Sequence, residues 1–237
     1  MKQSHHQHHE MYENLPEVQV TTTYSPGVVT VKVRDLHDTT VSLAETHEKR
    51  MHLVIVSADL ETFLHVHPVE NDSGDFEVKL ELSPGRYLAF ADINPVGMTY
   101  VIKPTEITVG EETESPDIDW EALVSNDNST KEIEGKTVTF HRPTLTAEKA
   151  ATLSFDLKGE RPLPYLGALG HVVVLDEQGT RFIHVHPASE EHPIFEAQFP
   201  SPGFYKLWAE FKFADVGVLA FPFLVKVDEK GNLAGRE

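Results

Sequence analysis

The chain repeats itself, and the repeat limits its fold more than any other feature. The stretch "HLVIVSADLETFLHVHPVENDSGDFEVKLELSPGRYLAFAD" (52–92) lies over "HVVVLDEQGTRFIHVHPASEEHPIFEAQFPSPGFYKLWAE" (171–210). At an offset of 119 residues, His52 falls on His171, His65 on His184, His67 on His186, Pro68 on Pro187 and Phe76 on Phe195. One residue is then dropped, and Pro84, Gly85, Tyr87 and Ala91 match Pro202, Gly203, Tyr205 and Ala209 at an offset of 118. A register this long, with matched turn residues, marks two related domains.

Each half patterns as β-structure. "VVTVKV" (28–33), "HLVIVS" (52–57), "FEVKLEL" (76–82), "RYLAFAD" (86–92) and "YVIKPTEITV" (100–109) are short runs of Val, Ile, Thr and aromatics between Pro-Gly or Asp/Asn/Gly turns. "ATLSFDL", "HVVVLD", "FIHVHP", "IFEAQF", "FYKLWAE" and "LAFPFLVKV" repeat the pattern in the second half. About seven short strands in ~95 residues, with a turn every 8–12 residues or so, predict an Ig-like antiparallel sandwich. No segment sustains a 3.6-residue period. The expected architecture is all-β, with two tandem antiparallel Ig-like β-sandwich domains at 17–109 and 136–228. The acidic "GEETESPDIDWEALVSNDNSTKEIEG" (110–135) reads as a solvated linker, with one helical turn near Trp120 to Val124. Residues 1–16, rich in histidine, and 229–237 read as loose tails.

The matched histidines can be placed by strand geometry. Side chains alternate along a strand, so His65 and His67 share a face, and Leu64 and Val66 take the opposite one toward the core. A hairpin turn centred on Asp59-Leu60 makes cross-strand partners sum to 119, which sets His52 opposite His67. A turn on Gln178-Gly179 gives a sum of 357 and sets His171 opposite His186, with Gly179 supplying the positive φ of a tight turn. Opposed residues share a face, so each domain is expected to present three imidazoles in one cluster, outward or into a surface groove: His52, His65 and His67, then His171, His184 and His186. A one-residue slip would scatter either set.

Three imidazoles on two rigid strands suit a transition metal, with copper first and zinc second. Asp92 and Glu210, aligned at the ends of the strands after the Pro-Gly turns, are candidate further ligands. Met98 in "NPVGM" is a weaker one that would favour copper(I). The alternative is that the histidines are structural and bind nothing. The tail stretch "HHQHHEM" (5–11) is a loose metal-capture tract or a solubilising tail. His37, His47, His141 and His192 read as surface residues without a role.

Composition narrows the partners. The 237 residues carry 38 acidic and 20 basic groups, a formal net charge of −18. That field repels phosphate backbones and anionic lipid, so no nucleic-acid partner is expected, while cations are drawn in. No run approaches the ~18 apolar residues of a membrane span, so no membrane insertion is expected. There is no cysteine, which rules out disulfides, thiolate zinc and iron–sulfur sites. No signal-peptide h-region opens "MKQSHHQHHEMYENLPE", so a cytoplasmic location is expected of the chain as written, or an extracytoplasmic one for a mature form. "HVHPASE" (184–190) matches the first half of a cupin pattern, but the second half is missing, since "PGRY" and "SPGFY" lead to no histidine. Nucleophile elbows, phosphate loops and His-Glu-x-x-His helices are likewise absent from the sequence, so no enzymatic activity is expected.

Across "HLVIVSADLETFLHVHP…PGRYLAFAD" and "PYLGALGHVVVLDEQGTRFIHVHP…PGFYKLWAEF", the chain resembles the bacterial YtkA-like domains, relatives in style of the copper-resistance Ig-like sandwiches. The resemblance implies a β-sandwich, frequent association with metal homeostasis, and a secreted or lipid-anchored protein. The expected function is copper or zinc sequestration, buffering or delivery through one three-His cluster per domain. A membrane transporter or another metal-handling protein is the candidate partner. The alternative is a non-catalytic β-sandwich interaction module.

Overall fold

A computed structural model describes residues 16–111 and 118–230. The first half contains β1 (Val18–Ser25), β2 (Val28–Asp35), β3 (Leu43–Ala44), β4 (Met51–Ser57), β5 (Phe63–Val66), β6 (Val69–Glu70), β7 (Phe76–Lys79), β8 (Gly85–Pro95) and β9 (Thr105–Val109). A short helix, α1 (Trp120–Asn126), follows. The second half contains β10 (Thr130–Ile133), β11 (Lys136–His141), β12 (Leu145–Thr146), β13 (Ala150–Asp156), β14 (His171–Asp176) and β15 (Phe182–His184). It closes with β16 (His186–Pro187), β17 (Ile194–Gln198), β18 (Gly203–Phe213) and β19 (Gly217–Asp228).

Each half is a two-sheet Ig-like sandwich. In the first, β1-β2-β7-β6 faces β3-β8-β4-β5, with β9 also paired to β8. In the second, β10-β11-β13-β17-β16 faces β12-β19-β18-β14-β15. Pairing is antiparallel throughout, apart from the two-residue parallel contact of β12 with β19. Between the sheets lie two separate cores. Val29, Val31, Leu53, Ile55 and Ala89 are among the buried residues of the first. Phe140, Leu153, Phe195, Phe211 and Phe223 are among those of the second. Within the stretch read as a linker, the described residues 118–135 contain a helix and a strand. Asp119 caps α1 by accepting from the Ala122 N–H, and Thr130–Ile133 is an edge strand of the second sandwich.

Both hairpins take the register set by their turns. Leu53 pairs Val66 and Val54 pairs His65, while Val173 pairs His184 and Val174 pairs Ile183. Gly179 has φ +63°, as the tight turn requires, and Leu60 takes φ +58° at the equivalent place. The ladders stop short of the second histidine, however. After Val66 the chain leaves the first sheet, and Val69–Glu70 pairs β7 in the opposite one. In the second half His186 pairs Glu196 of β17, so it does not sit opposite His171. In the first half the strand changes sheets at His67-Pro68, where proline has no N–H to give a ladder; in the second it changes at Val185, before His186 and Pro187.

A third apolar cluster joins the two sandwiches. Val54, Val56, Leu60, Leu88 and Phe90 of the first pack with Val173, Leu175 and Trp208 of the second. The contact has approximate two-fold symmetry. Phe63 stacks on Trp208 at 4.7 Å, and the repeat-related Phe182 stacks on Phe90 at 5.6 Å. Lys206 reaches across to Glu61 at 2.7 Å. The faces expected to point outward are thus pressed against each other.

Candidate functional site

At one end of this interface the histidines gather. β4 carries His52, β5 carries His65, and His67 sits where the chain crosses between sheets. His52 lies 4.9 Å from His67, His65 lies 4.9 Å from His67, and His52 lies 5.5 Å from His65, between ring centroids. One nitrogen from each ring can be chosen so that all three fall within 4.8 Å of one another. The first-domain set expected from spacing is therefore assembled.

Hydrogen bonds fix which nitrogens face inward. His52 Nε2–H donates to the Thr46 carbonyl at 2.9 Å, leaving Nδ1 turned toward His65 Nε2 at 3.3 Å. His65 Nδ1–H donates to Glu210 Oε2 at 2.5 Å, and both side chains are about 95% buried, at 4% and 5% exposed. In the tautomers these bonds select, His52 Nδ1 and His65 Nε2 present lone pairs to each other. His67 Nε2 is buried and has no hydrogen-bond partner.

Burial favours the neutral form of His52, His67 and His171. Burial, then repulsion from His65 and His52, lowers His67 to about 3. Burial lowers His171 to about 4 against the opposing Tyr165 hydrogen bond, and burial also lowers His52. A neutral imidazole is the form that binds metal.

The second domain supplies the rest of the surroundings. Glu210 on β18 pairs with His171 in its own sheet, yet its carboxylate bonds the first domain's His65. Asp92 on β8 pairs with His52, so it shares the histidine face, and it lines the adjoining cavity. That cavity, about 30 Å³, is also lined by His47, His52, His65 and His171, and has room for a water-sized guest. His171 Nε2–H donates to the Tyr165 carbonyl at 2.9 Å, and its ring lies 6.4 Å from His65.

The expected second cluster fares differently. The backbone of His184 stays in the β14–β15 hairpin and that of His186 goes to the opposite sheet. Their side chains lie outside the described residues, as does the tail histidine stretch 5–11. His171 instead faces the first domain's histidines. Met98 is exposed on a loop. His47, read as a surface residue, lines the cavity 5.6 Å from His171 and 6.1 Å from His52. It sits in a left-handed turn at φ +50°, and its equivalent Leu166 has φ +52°. The repeat thus extends upstream of His52 in conformation, but "THEKRM" and "YLGALG" share no letters that would reveal it.

Fold and site together define a tandem Ig-like β-sandwich protein with a part-buried histidine cluster at its domain interface. The chain belongs to a family described as a domain of unknown function (DUF8832), whose model matches twice, at residues 6–111 and 131–229. No curated protein matches the sequence. Among solved structures it is similar to a two-domain fibronectin type III segment from chicken tenascin, at 14% identity and TM-score 0.26, covering 89% of this chain and 98% of that one. DIP-gamma IG1+IG2 is similar at 15% identity and TM-score 0.23, with 92% and 98% covered. The Yersinia pseudotuberculosis adhesin InvE is similar at 13% identity and TM-score 0.24, with 88% of this chain covered but only 60% of the adhesin. Likenesses this distant carry no functional argument. No helix among the described residues is long and apolar enough to cross a membrane.

Proposed function

We propose that this is a non-catalytic binding protein that holds a transition-metal ion, copper or zinc, in the His52–His65–His67 cluster for sequestration, buffering or delivery. The observation that carries the reading is a three-histidine cluster in which one nitrogen of each ring lies within 4.8 Å of the others, with two lone pairs 3.3 Å apart and a buried His67 Nε2 that has no partner. Leaving a buried acceptor unmet costs about 1–3 kcal/mol, and a cation shared by the three nitrogens would relieve all of it. Imidazole donors suit Cu(II) and Zn(II), and a carboxylate behind one histidine is the usual outer partner of such ligands. The HVHP and PG-x-Y resemblance to YtkA-like domains points the same way.

A second reading keeps the histidines structural, within an interaction module. A proton between His52 Nδ1 and His65 Nε2 would replace the ion, and the Glu210 contact would clamp the domains. It leaves His67 Nε2 unexplained.

Metal titration separates the two. The chain is prepared with His5, His6, His8 and His9 replaced by alanine, so that the tail does not compete. Submicromolar zinc or copper uptake, abolished by His65→Ala or His67→Ala, supports the metal reading. Protein that stays folded and takes up neither ion saturably overturns it in favour of the structural one.

A further inference from the structure

The ligands of the cluster all come from the first domain, but the group behind the central one does not. Glu210 belongs to β18, the middle of the second domain's docking sheet, and is 4% exposed. Its backbone partner within that sheet is His171. Its carboxylate nevertheless crosses the interface to His65 Nδ1. Tyr165, also of the second domain, sets its ring 6.4 Å from His67. Val54 and Val173, one from each domain, line the adjoining cavity and belong to the apolar cluster that docks the sandwiches. Site and interface are therefore continuous.

We propose that the metal site is shared between the domains: Glu210 is a positioning residue that fixes the tautomer and orientation of His65, so that ion binding and domain docking strengthen each other. This rests on the metal reading above. With Glu210 in place, the His65 proton stays on Nδ1 and the Nε2 lone pair is presented to the ion. With the domains apart, His65 turns freely and either nitrogen can carry the proton. Because linkage is reciprocal, whatever docking adds to metal affinity, metal adds to docking. An ion gripped by one domain's histidines would thus be sensed by the other, and a partner that separates the sandwiches would release it.

The test uses the full chain with the tail histidines replaced. Competition titration with Zn(II) compares the parent, Glu210→Gln and Trp208→Ala, the last removing a docking contact while leaving every ligand in place. Zinc affinity is expected to fall about 10–100-fold in Glu210→Gln, the usual effect of losing an outer-shell partner, and to fall in Trp208→Ala as well. A structural readout accompanies it. The chain has no native cysteine, so spin labels at Lys32→Cys and Lys158→Cys, one on each domain, report the inter-domain distance. Zinc is expected to narrow that distribution in the parent and not in Glu210→Gln. Unchanged affinity in either variant, or equal narrowing with and without the carboxylate, overturns the shared site while the metal reading stands. A parent chain that takes up neither zinc nor, with Cu(II) as the probe in its place, copper overturns both.

Discussion

His52 and His171 are oriented by the same device. Each donates Nε2–H to the carbonyl six residues upstream, Thr46 or Tyr165, at 2.9 Å. For His52 this turns Nδ1 toward His65. Small residues matter here as much as the imidazoles. At Gly179 an added Cβ would lie 2.7 Å from Leu88 Cδ1 and 3.6 Å from Leu60 Cδ2, both in the other domain. Gly217 has a similar φ, +79°, but open space around it. Gly217→Ala should then cost only the left-handed backbone penalty, about 1–2 kcal/mol. Gly179→Ala should cost measurably more, since the extra methyl must push Leu88 out of the docking cluster. Denaturant unfolding of the two variants checks the difference, and equal costs would mean that the turn does not bear on the interface.

At the scale of elements, two details repeat in both domains. Tyr87 Oη donates to the Ser83 carbonyl and Tyr205 Oη to the Ser201 carbonyl, each at 2.9 Å. These are tyrosine corners of the Ig-like sandwich, and they explain why the Pro-Gly turns are each followed by a tyrosine. Tyr87→Phe and Tyr205→Phe should each lower stability by about 0.5–1.5 kcal/mol while leaving the strand register intact, as chemical denaturation with strand-resolved hydrogen exchange would show. An unchanged midpoint in both variants would mean the hydroxyls are satisfied equally by water. Strands and registers were legible in the sequence because turn geometry and period-two patterning are local. The end of each ladder was less so. Pro68 and Pro187 marked a stop, but not that the chain would cross to the other sheet and carry His186 away from His171. His47 reads as a surface residue because its place depends on a turn conformation shared with Leu166, not on a shared residue type.

At the scale of the molecule, the docking of the two sandwiches was the part least open to reading. Its signal was nonetheless present. All six residues from Met51 to Val56 are buried, and a strand covered on both faces reads as a continuous apolar run, not an alternating one. Docking turns outward histidines into interior ones, and this gives the metal-free protein a definite pH response. Histidine in an unfolded chain titrates near 6.5. In the folded protein burial lowers His67 to about 3 and His171 to about 4, and lowers His52 as well. Between those values the unfolded chain binds more protons than the folded one. The stabilisation from keeping these rings neutral is therefore complete above about pH 6.5 and is lost as pH falls toward the folded values. With a chelator present, the denaturant midpoint should hold steady at higher pH and decline from about pH 6.5 to about pH 5, a window that lies above most carboxylate titrations. His171→Gln should flatten that decline without touching any of the three ligands of the cluster. A midpoint that does not move across the window, or the same slope with and without His171, would show that the rings are hydrated and that the interface is open in solution.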